Sequence, residues 1–309
     1  MALFANMPVI NFMAGRRVAV IISAIVLVLS LGSFIVRGLN LGIDFEGGLL
    51  LEVGYEEIAD LAEIRLALAE NGFESPQVQN FGSISDALIR LPPQEEQDGG
   101  VIRDRVLTAL AERDPTVELR RIEFVGPQVG EDLTEQGGLA MLIALILIFI
   151  YVMLRFRWKF AAGTVSALAH DVIIVFGFFS IFGLGFDLAV LAAVLATIGY
   201  SLNDTIVVFD RIRENFRTMR RGSAEEIINA SINQMLGRTV ITSMTTLIVL
   251  TSLYVLGGEA VAGFALALIV GVLVGTYSSI YIASATALAL DVSPIDLMPP
   301  KREEVDEMP

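Results

Sequence analysis

The chain has 309 residues, 54% of them hydrophobic, a mean hydropathy of +0.68 and a net charge of −14. That combination excludes a basic nucleic-acid binder and points to an integral membrane protein. With no cysteine and a single histidine, disulfide frameworks, thiolate metal sites and multi-histidine centres are excluded too, and neither a metal nor a cofactor is expected.

Met1 to Gly15 is short and nearly uncharged, and Arg16-Arg17 then precede an apolar run, Val18 to Val36. The run is too long for a signal-peptide core, and Phe34-Ile-Val-Arg37 has no small-residue cleavage pattern, so it is expected to remain as a first span. The stretch from Asp44 to Glu135 is strongly acidic, with 21 carboxylates against 7 arginines. Its patterning predicts strands at Leu49–Val53, Val78–Phe81, Ala87–Leu91 and Val117–Val125, with a Gly-Ser-Ile-Ser turn between the second and third. Helices are predicted at Ile58–Ala69 and Ile102–Leu110. The resulting β-α-β-β-α-β order suggests a small ferredoxin-like domain, with an exposed loop at Pro92–Gly100. Nothing in it resembles a catalytic constellation, and the chain is read as a non-enzyme.

Further spans are expected at Gly137–Leu154, Ala161–Phe182, Leu188–Phe209, Thr239–Leu256 and Ala260–Leu290, six in all. The fold class is therefore an α-helical integral membrane protein with six transmembrane helices and a small α+β domain between the first two. The domain division is 1–40 (N-terminus and first span), 41–136 (α+β domain), 137–290 (five spans) and 291–309 (acidic tail). Arg16-Arg17, Arg155–Lys159, the Arg211–Arg238 loop and Lys301-Arg302 fall on one side, whereas Gly183–Asp187 and Gly257–Glu259 carry no Lys or Arg. The positive-inside rule then places both termini in the cytoplasm and residues 41–136 outside. Trp158 sits where an interfacial anchor belongs. Ser223–Leu236 opens with a Ser-x-x-Glu capping box and has Ile227, Ile228, Ile232, Met235 and Leu236 on one face. It is expected to lie along the cytoplasmic membrane surface. In the last span Gly263, Ala267, Gly271 and Gly275 recur every fourth residue, a close-packing face for a helix of this chain or of a partner subunit.

Three spans carry polar groups that lipid does not tolerate. The third has His170-Asp171, with Thr164 and Ser166 before them, and the fourth has Ser201, Asn203 and Asp204. The fifth opens with Arg238 and continues through Thr239, Thr242, Ser243, Thr245, Thr246, Thr251 and Ser252. Asp204 precedes Asp210, at the exit into water, by about 9 Å of helix rise, too far for an aspartate to snorkel. A carboxylate at such depth costs about 2.5–3.5 kcal/mol on insertion scales and marks an ion or proton path by default. Two readings stand side by side: a water-filled half-channel lined by these groups, and a structural clamp between Asp204 and Arg238. A Ser–His–Asp triad is not expected, because the one histidine adjoins Asp171 in sequence. Walker-type phosphate loops are absent. Proteolysis by Asp171 and Asp204 is formally open, although the wider architecture argues against it.

Four stretches resemble the SecF family, membrane subunits of the bacterial SecDF protein-export complex. They are Gly42-Ile-Asp-Phe-Glu-Gly-Gly48, Ala167–Asp171 with Gly177 beyond it, Gly199–Glu214 and Arg238–Leu247. The likeness extends over essentially the whole chain. It implies the resistance–nodulation–division fold and the bacterial inner membrane. The partners it implies are SecD, the SecYEG translocon and preprotein substrates, with YajC as a further candidate, and no nucleic acid. It also implies use of the proton motive force, Asp204 being the protonatable carboxylate and Arg238 the cation that tunes it. Asn203, Ser201, Asp171, His170, Thr242 and Thr245 would support the relay. Gly42, Asp44, Phe45, Gly47 and Gly48 would form a motif at the exit of the first span. The alternative of another class is half of a related proton-driven exporter of small molecules or lipids, whose external domain needs an aromatic-lined cleft.

Overall fold

A computed structural model describes residues 9–74, 76–93, 99–156, 158–219 and 222–292. A short 3-10 turn, Met13–Gly15, leads into α1 (Arg16–Arg37). The chain then enters β1 (Asn40–Leu41), the single-turn α2 (Ile43–Glu46) and β2 (Gly48–Gly54). There follow α3 (Leu61–Glu70), β3 (Gln77–Phe81), β4 (Ser83–Leu91), α4 (Gly99–Ala111) and β5 (Glu118–Val125). The β-α-β-β-α-β succession is thus the observed order, with small shifts in its boundaries. The first helix begins at Leu61 rather than Ile58, because Asp60 caps it by accepting from the backbone of Ala62 and Glu63. The expected turn contracts to Gly82, with φ +72°, and Ser83–Ser85 join the strand. Part of the expected loop Pro92–Gly100 lies outside the described residues, as does most of the tail.

The four strands form one antiparallel sheet in the order β3-β4-β2-β5. Strand alternation sends Leu49, Leu51 and Val53 to one face, where they meet Ile64, Leu68, Ile102, Val106 and Leu110 of the two helices. Leu50 and Glu52 point to the other face, which lies toward the membrane helices. Tyr55 closes the rim of the domain core. Burial, with the charges of Asp114 and Glu63, pushes its phenol up from 10 to about 12.

Among the described residues, six helices are long and apolar enough to cross a membrane. After α1 come α5 (Pro127–Arg155) and α6 (Trp158–Phe182), then β6 (Gly185–Phe186) and α7 (Leu188–Thr218). The chain continues through α8 (Ala224–Leu256) and α9 (Glu259–Ser278), a π-helical turn at Ser279–Ala283 and α10 (Ser284–Ala289). α5 starts ten residues before the expected span, inside the stretch assigned to the external domain, with Pro127 in its first turn.

Residues 223–236 do not form a separate surface helix. They are the first turns of α8, a continuous helix of 33 residues, or about 50 Å. The capping box at Ser223 and Glu226 is present as expected, but Gly237 does not break the helix. The apolar face finds protein instead of lipid: Ile227, Ile228 and Ile232 are buried with Phe209, Ile212 and Phe216 of α7 and with Phe12 and Met13. Asn233 exchanges two hydrogen bonds with the backbone of Ile10, at 2.9 and 2.8 Å, and Arg16 pairs with Glu225 at 2.7 Å. α7 and α8 therefore leave the apolar zone together as a helical hairpin.

The small-residue face of α9 is used within the chain. A Cβ on Gly271 would collide with the Thr197 side chain of α7, and one on Gly275 would lie 3.0 Å from Ser201 Cβ. Close approach of α7 and α9 depends on these glycines. Gly271→Leu is therefore expected to destabilise the chain itself: its yield in detergent-resistant folded form should fall at least severalfold, whether or not a partner is co-expressed. Equal yields of mutant and parent would contradict this packing.

The Tyr55 environment gives a second expectation. An unfolded tyrosine ionises near 10, whereas the folded one holds its proton to about 12. Raising the pH from 10 to 12 therefore removes stability from the domain. Spectrophotometric titration at 295 nm should show one phenolate step near 12 that Tyr55→Phe abolishes.

Candidate proton-relay site in the membrane helices

The polar residues of α6, α7 and α9 meet at one point. Asp171 is 1% exposed, and its Oδ2 accepts from Ser201 Oγ of α7 at 2.5 Å and from Ser278 Oγ of α9 at 2.8 Å. Its Oδ1 lies 2.9 Å from Nδ1 of His170, which is also buried and stacks on Tyr277. One carboxylate thus joins three spans. Each hydroxyl bond to a charged acceptor is worth about 1.5–3 kcal/mol. Ser278 is the last residue of α9, and the π-helical turn begins at the next residue. Such turns shift side chains out of the ordinary helical register and are frequent at functional sites.

The His170–Asp171 contact differs from what adjacency in a helix suggested, since the imidazole folds sideways onto its neighbour. The triad is excluded on other grounds. The order of contacts is His170–Asp171–Ser201, with the carboxylate in the middle, so no histidine nitrogen touches the serine hydroxyl.

Asp204 lies one turn beyond Ser201 on the same helix, about 24 Å along the axis from the start of α7. It is 5% exposed, and its Oδ2 has no hydrogen-bond partner among the described residues. Thr197 and Thr205 of α7 and Nε2 of His170 also carry buried polar atoms without a partner. A line of such atoms along one helix is exceptional in a folded protein, where nearly all buried polar groups are paired.

The structure does not pair Asp204 with Arg238. Among the described residues no ion pair joins them; Arg238 is exposed on α8 and acts on Asp204 only across space. The structural-clamp reading is therefore not supported. The hydroxyls of Thr242 and Thr245 bond carbonyls three and four residues back on α8, and those of Thr246 and Ser252 bond carbonyls four back. Ser243 is the exception, bonding Thr276 Oγ1 of α9 at 2.7 Å. Asn203 is exposed on the outward side of α7.

The glycine-rich motif sits at the other end of α7. Gly42 N–H donates to Phe186 O at 2.7 Å, and β1 pairs in parallel with β6. Asp44 Oδ2 accepts from the backbone N–H of Leu188, the first residue of α7, at 3.0 Å. Phe45 is buried against Phe186. Gly47 and Gly48 have φ of +75° and +118°. A Cβ on Gly48 would also strike the carbonyl of Leu91, and one on Gly47 would lie 2.9 Å from Pro127 Cα. The sequence places these residues near a span exit but does not show that they cap a helix more than 140 positions away.

Known proteins resemble this chain over nearly its whole length. Residues 105–293 match the model described as protein export membrane protein SecD/SecF, C-terminal, and residues 32–57 match the SecD/SecF GG motif. The chain is 51% identical over 305 residues to the protein translocase subunit SecF of Vibrio alginolyticus, covering 97% of each. The chain belongs to the SecF family. Its identity to the SecF of Pseudomonas aeruginosa is 49% over 303 residues, covering 97% of this chain and 98% of that one. Among solved structures, SecDF from Thermus thermophilus superposes with a TM-score of 0.83 at 39% identity. The match covers 92% of this chain and 39% of that one, so this SecF chain spans about two-fifths of the SecDF polypeptide.

Sequence reasoning missed Ser278, although the run Thr276-Tyr-Ser-Ser279 inside an apolar span was a visible signal. Removing either hydroxyl tests the junction. Ser201→Ala and Ser278→Ala should each lower the thermal stability of the folded protein. The double mutant's loss should differ from the sum, because both donors serve one oxygen. Strict additivity in a thermal-shift cycle would argue against a shared acceptor.

Proposed function

We propose that this chain acts with SecD as a proton-driven accessory subunit of protein export, with Asp204 as the group that takes up and releases the proton. The observation that carries this reading is the polar side chains that α7 and α8 expose at membrane depth. Asn203 and Arg238 are exposed there, beside an Asp204 that lacks a full set of partners. Lipid does not solvate such groups, so a second membrane subunit with its own polar residues is expected to cover them. A SecD half of matching architecture fits. A proton crossing the membrane releases about 2.3 kcal/mol per 100 mV. That is enough to bias two arrangements of a domain and too little to unfold one.

In this reading residues 1–40 and 137–290 form the membrane part. Residues 41–136 form a ferredoxin-like domain outside the cytoplasmic membrane, residues 291–309 form a cytoplasmic tail, and both termini are cytoplasmic. SecYEG and emerging preproteins are the expected partners, YajC a further one, and no reaction is catalysed. Asp171 and His170, tied to Ser201, lie one turn from Asp204 and would set the position of α7. The exporter alternative gains no support. The cleft below the sheet is lined by charged and amide groups of Glu52, Gln77, Gln79, Arg90, Arg121 and Glu123, and its aromatic residues are Phe81, Phe179 and Tyr254 at separate positions of the chain.

Two measurements test this. Asp204→Asn keeps size and fixes the site neutral. It should leave a well-assembled complex whose export of a reporter preprotein no longer responds to the proton gradient, and Arg238→Lys should reduce that response less. Full gradient-dependent export by a stable Asp204→Asn complex would sink the proposal. For topology, the cysteine-free sequence allows single labels. Glu112→Cys should react with an impermeant thiol reagent in intact cells and Met219→Cys should not, and the reverse pattern would invert the orientation.

A further inference from the structure

Arg90 lies on β4, on the sheet face turned toward the membrane helices, in the wall of a cleft of about 440 Å³. The opposite wall is made by Asp44, Asp187 and the outer turns of α9. The guanidinium Nη1 donates to Leu41 O at 3.0 Å and reaches Asn40 Oδ1 at 3.5 Å. The sheet is thereby fastened to β1, and β1 is paired with β6 at the head of α7.

Asp44 and Asp187 line the same cleft as Arg90, and with Glu46 they act on this cation across space. Burial pulls the Arg90 guanidinium down from its ordinary value, and the negative charges of Glu46, Asp187 and Asp44 hold it up. Two of those carboxylates are bound to α7. Asp44 accepts from Leu188 N–H at 3.0 Å, and Asp187 accepts from Val190 N–H at 2.8 Å. The other arginine of the cleft, Arg121, is paired with Glu123 on its own strand. One charge from the α+β domain therefore balances the acidic cap of the helix that carries Asp204.

We infer that Arg90, Asp44 and Asp187 form an electrostatic joint that makes the α+β domain follow the outer end of α7. Arg90 is a positioning residue, acting on the domain through the cap of α7 and touching no proton. The joint also accounts for the Gly42–Gly48 motif, which brings Asp44 onto α7 while Gly47 and Gly48 let β2 leave at once for the sheet. What moves α7 rests on the proton-driven reading above; the joint itself does not.

The test uses the SecDF complex in liposomes, with cysteine-free SecD and nitroxide labels at Gln79→Cys and Leu266→Cys, on opposite walls of the cleft. In the parent, the label–label distance should be narrowly distributed and should shift when a proton gradient is applied. Arg90→Gln leaves three carboxylates without their cation. Its distribution should at least double in width and lose the shift, while assembly and Asp204-dependent proton uptake persist. Arg90→Lys, which keeps the charge, should restore most of both. A narrow, gradient-responsive distribution in Arg90→Gln overturns the joint. Should Arg90→Gln fail to assemble, Asp44→Asn replaces it with the same criteria, since it keeps an oxygen for Leu188 N–H and removes one carboxylate charge. A parent that shows no gradient shift counts against the proton reading alone. The joint is then decided by width at rest: broadening in Arg90→Gln supports it, and an unchanged width overturns it.

Discussion

The membrane part of this chain depends on a single buried acceptor. Asp171 accepts hydroxyl hydrogen bonds from two other helices, and the second acceptor within reach of Ser278, the Gly275 carbonyl, is farther away at 3.2 Å. Leaving one buried hydroxyl of such a group unpaired costs about 1–3 kcal/mol. Satisfying all of them fixes the rotation of α6, α7 and α9 about their axes. The glycines of α9 then become necessary consequences: with Ser201 turned toward Asp171, α9 has to approach α7 through positions with no side chain. The rotation of α7 also decides where its other polar residues go. Asp204 is turned inward with an unsatisfied oxygen, and Asn203 is turned outward.

A division of labour follows between two aspartates only about one α7 turn apart. Asp171 has its oxygens occupied and serves as a fixed point. Asp204 retains an oxygen without a partner among the described residues, and in the proposed reading it changes protonation state without dismantling the bundle. Sequence alone ranks both simply as intramembrane carboxylates. Their difference arises from contacts that cross from helix to helix, and spacing along one helix does not encode them.

Much of the architecture was legible because its signals are local. Six apolar runs, the strand alternation around Leu49–Val53 and the capping box at Ser223 each depend on a few neighbouring residues. The failures have a common cause in tertiary contacts. The apolar face of residues 223–236 was equally suited to lipid or protein, and only the presence of Phe12, Met13 and Phe209 decided the matter. Arg90 had no signal at all: an arginine in an amphipathic strand usually faces water, and its carboxylate partners lie more than 40 positions earlier or almost 100 later in the chain.

The continuity of α8 has a mechanical consequence. A helix about 50 Å long passes rotation from end to end without a hinge. Pivoting it by about 10° near its middle displaces each tip by about 4 Å in opposite directions. The N-terminal tip of α8 is stapled to residues 10–16 through Asn233 and Glu225. Any tilt at its other end is therefore delivered, reversed in sign, to the beginning of α1, and the first and fifth spans behave as two arms of one lever.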